Sequence, residues 1–116
     1  MIEVYHNPRC GKSRNCLAFL DNSKQEYKIT KYLEETPSAE TLKALLEKLQ
    51  IKAIDLVRQK EKIWIENYKN QEMTDEAVIQ AMVLHPILIE RPIIIKGNKA
   101  IIAREMDKIE TFFKES

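Results

Sequence analysis

The sequence predicts an α/β protein made of a βαβ half, a helical insertion and a ββα half. Three observations carry this. Near the N-terminus, two short β-prone segments, Ile2 to Tyr5 and Tyr27 to Tyr32, flank a stretch of helical apolar spacing. In the middle of the chain the apolar residues keep that helical spacing almost throughout. Beyond Pro92 the pattern changes to Ile93-Ile94-Ile95, a short polar break, and Ala100-Ile101-Ile102, which reads as a hairpin.

The elements follow in order. Ile2 to Tyr5 runs into the Asn7-Pro8 breaker, so a strand enters a loop that carries Cys10. Ser13 to Leu20 places Cys16, Leu17 and Leu20 at helical spacing. Tyr27 to Tyr32 is then a second strand, and a helix between the two makes them parallel through a right-handed crossover. Thr36-Pro37 fits an N-cap with Pro at the first helical position, ahead of the stripe Leu42, Leu45, Leu46 and Leu49. Ile54 to Val57 and Lys62 to Tyr68 read as shorter helical pieces. Thr74 caps a helix bearing Val78, Ala81, Met82 and His85, which Pro86 ends. The hairpin turns at Gly97 and Asn98, where positive φ is needed, and both central strands are expected to be apolar on both faces. Glu105 to Lys114, with Met106, Ile109 and Phe113 on one side, closes the chain as a helix packed on the sheet.

A chain of 116 residues suits one domain, here 1–116 with the insertion at about 36–85, and therefore one core and one site. Apolar residues at 44% and charged ones at 32% can bury a core, which excludes a disordered chain. No apolar run is long enough to span a bilayer, and the first residues lack a basic segment followed by an apolar one. A cytoplasmic, monomeric protein is expected. The net charge of +1 argues against nucleic acid or a membrane surface as partner. Locally the balance differs: Val4 to Leu20 holds Arg9, Lys12 and Arg14 but no acidic residue, which puts a cationic patch around Cys10.

Cys10 lies where the loop becomes a helix. A helix start offers unpaired N–H groups and the positive end of the macrodipole, and Lys12 and Arg14 add full charges. These favour thiolate over thiol, so Cys10 is expected to be a nucleophile at neutral pH, and the same donors can hold an oxyanion against its sulfur. Gly11 leaves room for that approach. A buried apolar role, usual for a lone cysteine, fits poorly between Arg9, Gly11 and Lys12. Cys16 fits it well. Six residues of helix separate the two sulfurs by about 9 Å along the axis and turn them to different faces, which disfavours a bridge. No close paired spacing among Cys10, Cys16, His6 and His85 suggests a metal site. A phosphatase-type loop is excluded as well, because its arginine position is occupied by Cys16. Arginines for an anion must come from elsewhere in the chain.

The string His6-Asn7-Pro8-Arg9-Cys10-Gly11-Lys12-Ser13-Arg14-Asn15 resembles the signature of the glutaredoxin-linked arsenate reductase family. A second block, His85-Pro86-Ile87-Leu88-Ile89-Glu90-Arg91-Pro92-Ile93-Ile94, matches that family's second motif. Val57-Arg58-Gln59 and Ala103-Arg104-Glu105 fall where two further family arginines are expected. The resemblance implies a thioredoxin/glutaredoxin-like four-stranded mixed sheet with a helical insertion. It implies that Cys10 attacks arsenate, that Arg58, Arg91 and Arg104 surround the oxyanion, and that Ser13, Gly11 and Lys12 help bind it. His6 is implied near the thiolate, and Pro92 as the cis-proline beside the cysteine. Guanidinium forks suit such an anion, being charged at every relevant pH. His85, beside Pro86, is expected to be structural.

The implied reaction is a two-electron reduction through a thioarsenate adduct. Cys10-Gly11-Lys12-Ser13 holds no second cysteine, so electrons must come from outside; the resemblance implies glutathione as co-substrate and glutaredoxin as partner, with no tightly bound cofactor. Two rivals share the scaffold. A redox-regulated transcription factor similar to the Spx proteins, which bind RNA polymerase, usually carries Cys-x-x-Cys, and Ser13 departs from it. A general glutathione-dependent thiol reductase would not need three arginines.

Overall fold

Short β-branched runs from both ends of the chain pair into one mixed sheet, and the residues between them are helical. The computed structural model describes residues 2–24, 26–103 and 106–115. In chain order the elements are β1 (Ile2–Tyr5), α1 (Gly11–Asn22), β2 (Tyr27–Thr30), α2 (Ala39–Leu49), α3 (Lys62–Asn67), α4 (Asp75–Leu84), β3 (Ile93–Lys96), β4 (Lys99–Ile102) and α5 (Met106–Glu115). Single 3-10 turns occupy Ala53–Leu56 and Pro86–Leu88. Two compact units result: Met1–Glu35 together with Arg91–Ser116, and Thr36–Glu90.

The first unit holds the sheet, in the order β2-β1-β3-β4. β1 runs parallel to β2, with Tyr5 opposite Thr30, and antiparallel to β3, with Val4 opposite Ile94. β3 and β4 form the expected hairpin. Among the described turn residues, positive φ falls on Gly97 and not on Asn98, so the turn asks for only one glycine-like conformation. On one face, Ile2, Val4 and Ile94 bury with Cys16 and Leu20 of α1 and Ile109 and Phe112 of α5. Removing a side chain of Leu or Ile size from water contributes roughly 1.5–3 kcal/mol, so this layer is a large part of what holds the unit together. On α5 the fully packed ring is Phe112. Phe113, expected there from spacing, is only partly buried and stacks on Phe19 at 6.0 Å.

Two expected boundaries move. β2 stops at Thr30 instead of Tyr32, because the Lys31 carbonyl accepts from the Glu34 and Glu35 amides and starts a turn. The N-cap of α2 is Ser38 rather than Thr36: its hydroxyl oxygen accepts from the Thr41 amide at 3.1 Å. Pro37 is consequently outside the helix, buried at the position before the cap, where a hydrophobic staple packs. Thr74 caps α4 as expected, accepting from the Ala77 amide at 3.1 Å.

Cys16 is 1% exposed, and burial pushes its thiol up to about 11. It is a packing residue. Cys16→Ala is expected to cost about 1 kcal/mol through the small cavity it leaves, lowering Tm by a few degrees while leaving the reactivity of Cys10 unchanged. Thermal unfolding and thiol alkylation of the variant check both halves. Among the described residues no helix is long and apolar enough to cross a membrane.

Candidate active site

The loop between β1 and α1 is held by Asn7. Its Oδ1 accepts from the Arg9 amide at 3.0 Å and its carbonyl from the Cys10 amide at 3.0 Å, so a side-chain turn followed by a backbone turn delivers Cys10 to the helix start. The Asn7 amide in turn donates to the Ser13 hydroxyl at 3.4 Å. Asn7 is 3% exposed and Ser13 is fully buried. The motif contains Asn7, whose structural part is visible in the sequence only as the Asn-Pro turn signal.

Helix α1 begins at Gly11, which makes Cys10 its N-cap residue. The sulfur forms no capping hydrogen bond of ordinary geometry, and no acidic side chain lies in the first turn. The helix start therefore keeps its positive end uncompensated. Burial alone would push the Cys10 thiol up. The Ser13 amide, the Arg91 guanidinium, the Lys12 amide and the Ser13 hydroxyl, in that order, pull the other way and leave it below the ordinary thiol range. Since the Ser13 oxygen already accepts from Asn7, its hydroxyl proton is available to the sulfur.

Arg91 reaches this site from just before β3. The Arg91–Pro92 bond is cis, and the Pro92 carbonyl accepts from the Ala103 amide at 2.7 Å, extending the hairpin by one rung. Pro92 is fully buried.

The structure thus gathers Cys10, Lys12, Ser13 and Arg91 in the sheet unit. His6 is placed at the end of β1, where its amide donates to the Thr30 carbonyl at 3.0 Å. Burial, helped by the charge of Lys31, lowers its pKa, so the imidazole is neutral at neutral pH. It is not among the groups that act on the Cys10 sulfur. Arg58 belongs to the helical unit, in the segment whose bridge pairs Val57 with Ile89. Its Nη1 donates to Glu61 Oε1 at 2.9 Å and its Nε lies 3.4 Å from Glu90 Oε1. Arg104 lies outside the described residues. His85 packs edge-on against Tyr68 at 6.2 Å, in keeping with a structural part.

A Cβ at Gly11 would meet only the Arg14 Nη2 at 3.7 Å, an ordinary contact, and the position has no positive φ. Nothing in the chain's own packing requires glycine. Sequence reasoning also passed over Tyr32, assigned to a strand; it is fully buried beside this site. Among the described residues no cluster of three or more His, Cys, Asp or Glu side chains could hold a metal ion.

A mixed four-stranded sheet with an activated sulfur at the start of its first crossover helix defines a thioredoxin-like α/β protein with a single reactive thiol. The ArsC family pattern matches residues 5–112, and the chain belongs to that family. It is 42% identical over 110 residues to the uncharacterized protein YfgD of Escherichia coli, covering 93% of this chain and 92% of that one. It is 34% identical over 111 residues to an arsenate reductase of Neisseria meningitidis, covering 94% and 95%. The solved structure of an arsenate reductase from Vibrio cholerae superposes with a TM-score of 0.90 at 38% identity, covering 95% of each chain.

Proposed function

We propose that this protein reduces arsenate to arsenite in the cytoplasm, with Cys10 as nucleophile and glutathione and glutaredoxin as the source of electrons. One observation carries the reading: a lone sulfur is held toward its charged form by two helix-start amides, a hydroxyl and a guanidinium. Those donors suit a tetrahedral oxyanion as well as a thiolate. Relatives named arsenate reductases, matched over nearly their whole length, support the choice of anion.

In the first step the Cys10 thiolate forms a sulfur–arsenic bond and one arsenate oxygen leaves as water after taking up protons. Arg91 balances the charge that moves from sulfur to the oxygens, and Lys12 and Ser13 keep the anion at the helix start. The family resemblance adds Arg58 and Arg104 as further arginines for the anion, with His6 near the thiolate and Pro92 beside the cysteine as supports of activity. A glutathione thiolate then bonds to the Cys10 sulfur. The sulfur–arsenic pair stays on arsenic, which departs as arsenite, two electrons richer. The mixed disulfide left on Cys10 has no neighbouring thiol to resolve it, because Ser13 occupies the fourth position of the motif and Cys16 is buried and protonated. Glutaredoxin's thiol takes the glutathione and frees the thiolate.

The test is arsenate-dependent oxidation of glutathione in the presence of glutaredoxin. Arsenite formation is the expected result; turnover of glutathione mixed disulfides without any of arsenate overturns the substrate. Turnover with thioredoxin in place of glutaredoxin overturns the electron source alone. Gly11→Ala gives a finer check. The variant is expected to fold with unchanged stability or a gain of about 0.4–1 kcal/mol, since alanine restricts the unfolded chain. Its KM for arsenate should rise several-fold as a methyl group enters the space in front of the sulfur, which steady-state kinetics would show.

A further inference from the structure

Tyr32 follows the end of β2 and is 0% exposed. Its ring stacks on Tyr5 of β1, with centroids 6.1 Å apart and planes 19° from parallel. That contact accounts for the ring and leaves the hydroxyl unexplained, for phenylalanine would stack equally well. The fully buried Tyr32 Oη makes no hydrogen bond of ordinary geometry, and the Asn7 and Arg91 side chains that act on it do so as donors, so its own proton has no acceptor. A buried hydroxyl proton without an acceptor costs free energy and is rare in native proteins. The groups that act on it are those of the site: the Arg91 guanidinium, the Asn7 side chain and the Cys10 sulfur. Burial, together with the Cys10 charge and against the pull of Arg91 and Asn7, pushes the phenol up to about 12, so its proton stays on at neutral pH. Tyr32 is thus a committed donor beside an anion-binding guanidinium, and it lacks an acceptor.

We propose that Tyr32 is a substrate-binding residue whose buried hydroxyl donates to an oxygen of the tetrahedral oxyanion held by Arg91. The proposal rests on the oxyanion reading of the Cys10 site. It adds a neutral donor to the charged ones. A neutral donor tightens the anion's seat without drawing on the charge that holds the thiolate, and Tyr32 is not among the groups that lower the Cys10 thiol.

Tyr32→Phe tests this in the full chain. Arsenate without any thiol reductant should protect Cys10 from iodoacetamide, and the concentration giving half protection would report binding apart from turnover. The variant is expected to need about ten to a hundred times more arsenate, the loss of one hydrogen bond to a charged group. Its alkylation rate against pH without arsenate should match the wild type, and its Tm should be equal or higher, since a buried hydroxyl proton without an acceptor has gone. Equal protection in both proteins, or a lowered Tm with protection unchanged, overturns the proposal. On the unaltered protein, saturating arsenate should shift the ring-carbon NMR signal of Tyr32 beside the hydroxyl; a signal that stays put overturns it without any variant. A wild type that no oxyanion protects also overturns it. A wild type that arsenate protects but does not oxidise glutathione removes the reductase reading and leaves Tyr32 as an oxyanion ligand.

Discussion

Cys10→Ser is expected to reduce arsenate turnover to background while leaving the protein folded and, if anything, more stable. The amides of Ser13 and Lys12 and the Arg91 guanidinium favour a charged sulfur, but a serine hydroxyl ionises too far above neutral pH for the same donors to make it an anion. Serine also cannot form the sulfur–sulfur bond that carries the two electrons away. The stability half follows from the helix. Cys10 is the N-cap of α1 and makes no capping hydrogen bond of ordinary geometry, whereas serine is among the strongest N-caps. Installing that oxygen should contribute up to about 1 kcal/mol. Arsenite formation and thermal unfolding, measured on one preparation, separate lost chemistry from lost structure. Wild-type turnover in this variant would remove Cys10 as the nucleophile.

Local signals made Cys10 legible. An Asn-Pro breaker after a β-prone run, a helical stripe beginning soon after, and a stretch free of acidic residues together place a cysteine at an uncompensated helix start. The same local rules placed the Thr74 cap and the hairpin at Gly97. They failed where two local signals compete. Thr36-Pro37 and Ser38 both look like helix starts, and the serine wins because its oxygen reaches the Thr41 amide. Tyr27 to Tyr32 is β-prone throughout, but the turn closed by the Lys31 carbonyl ends the strand early and turns Tyr32 into a buried donor. Long-range pairing was beyond reach. That Arg91 acts on the Cys10 sulfur depends on β3 lying against β1 from the far end of the chain. For Arg58, Glu61 is a neighbour three residues on, but Glu90 joins it only because Val57 bridges to Ile89.

Arg91→Ala should lower kcat/KM for arsenate about 10²- to 10³-fold, the usual loss when one donor to a developing oxyanion is removed. Two effects add here, and pH separates them. In the wild type, burial raises the Cys10 thiol and the Ser13 amide, Arg91, the Lys12 amide and the Ser13 hydroxyl lower it, with the net result below the ordinary range. Alkylation by iodoacetamide should therefore stay fast to lower pH than for an ordinary thiol, slowing as pH falls through that lowered value. Without the guanidinium the whole curve moves to higher pH. Stability carries the same signature. Because the folded thiol ionises below the unfolded one, its contribution is complete above the unfolded range and is lost as pH falls through the folded value. Arg91→Ala should narrow that window, which urea midpoints across the alkaline limb would show. Arg91→Lys divides the effects further: an ammonium keeps a positive charge near the sulfur but lacks the planar fork, so thiolate character should recover more than arsenate affinity. If the alkylation curve of Arg91→Ala overlaid that of the wild type, the guanidinium would not be holding the thiolate, and the site would reduce to a helix start with a cysteine on it.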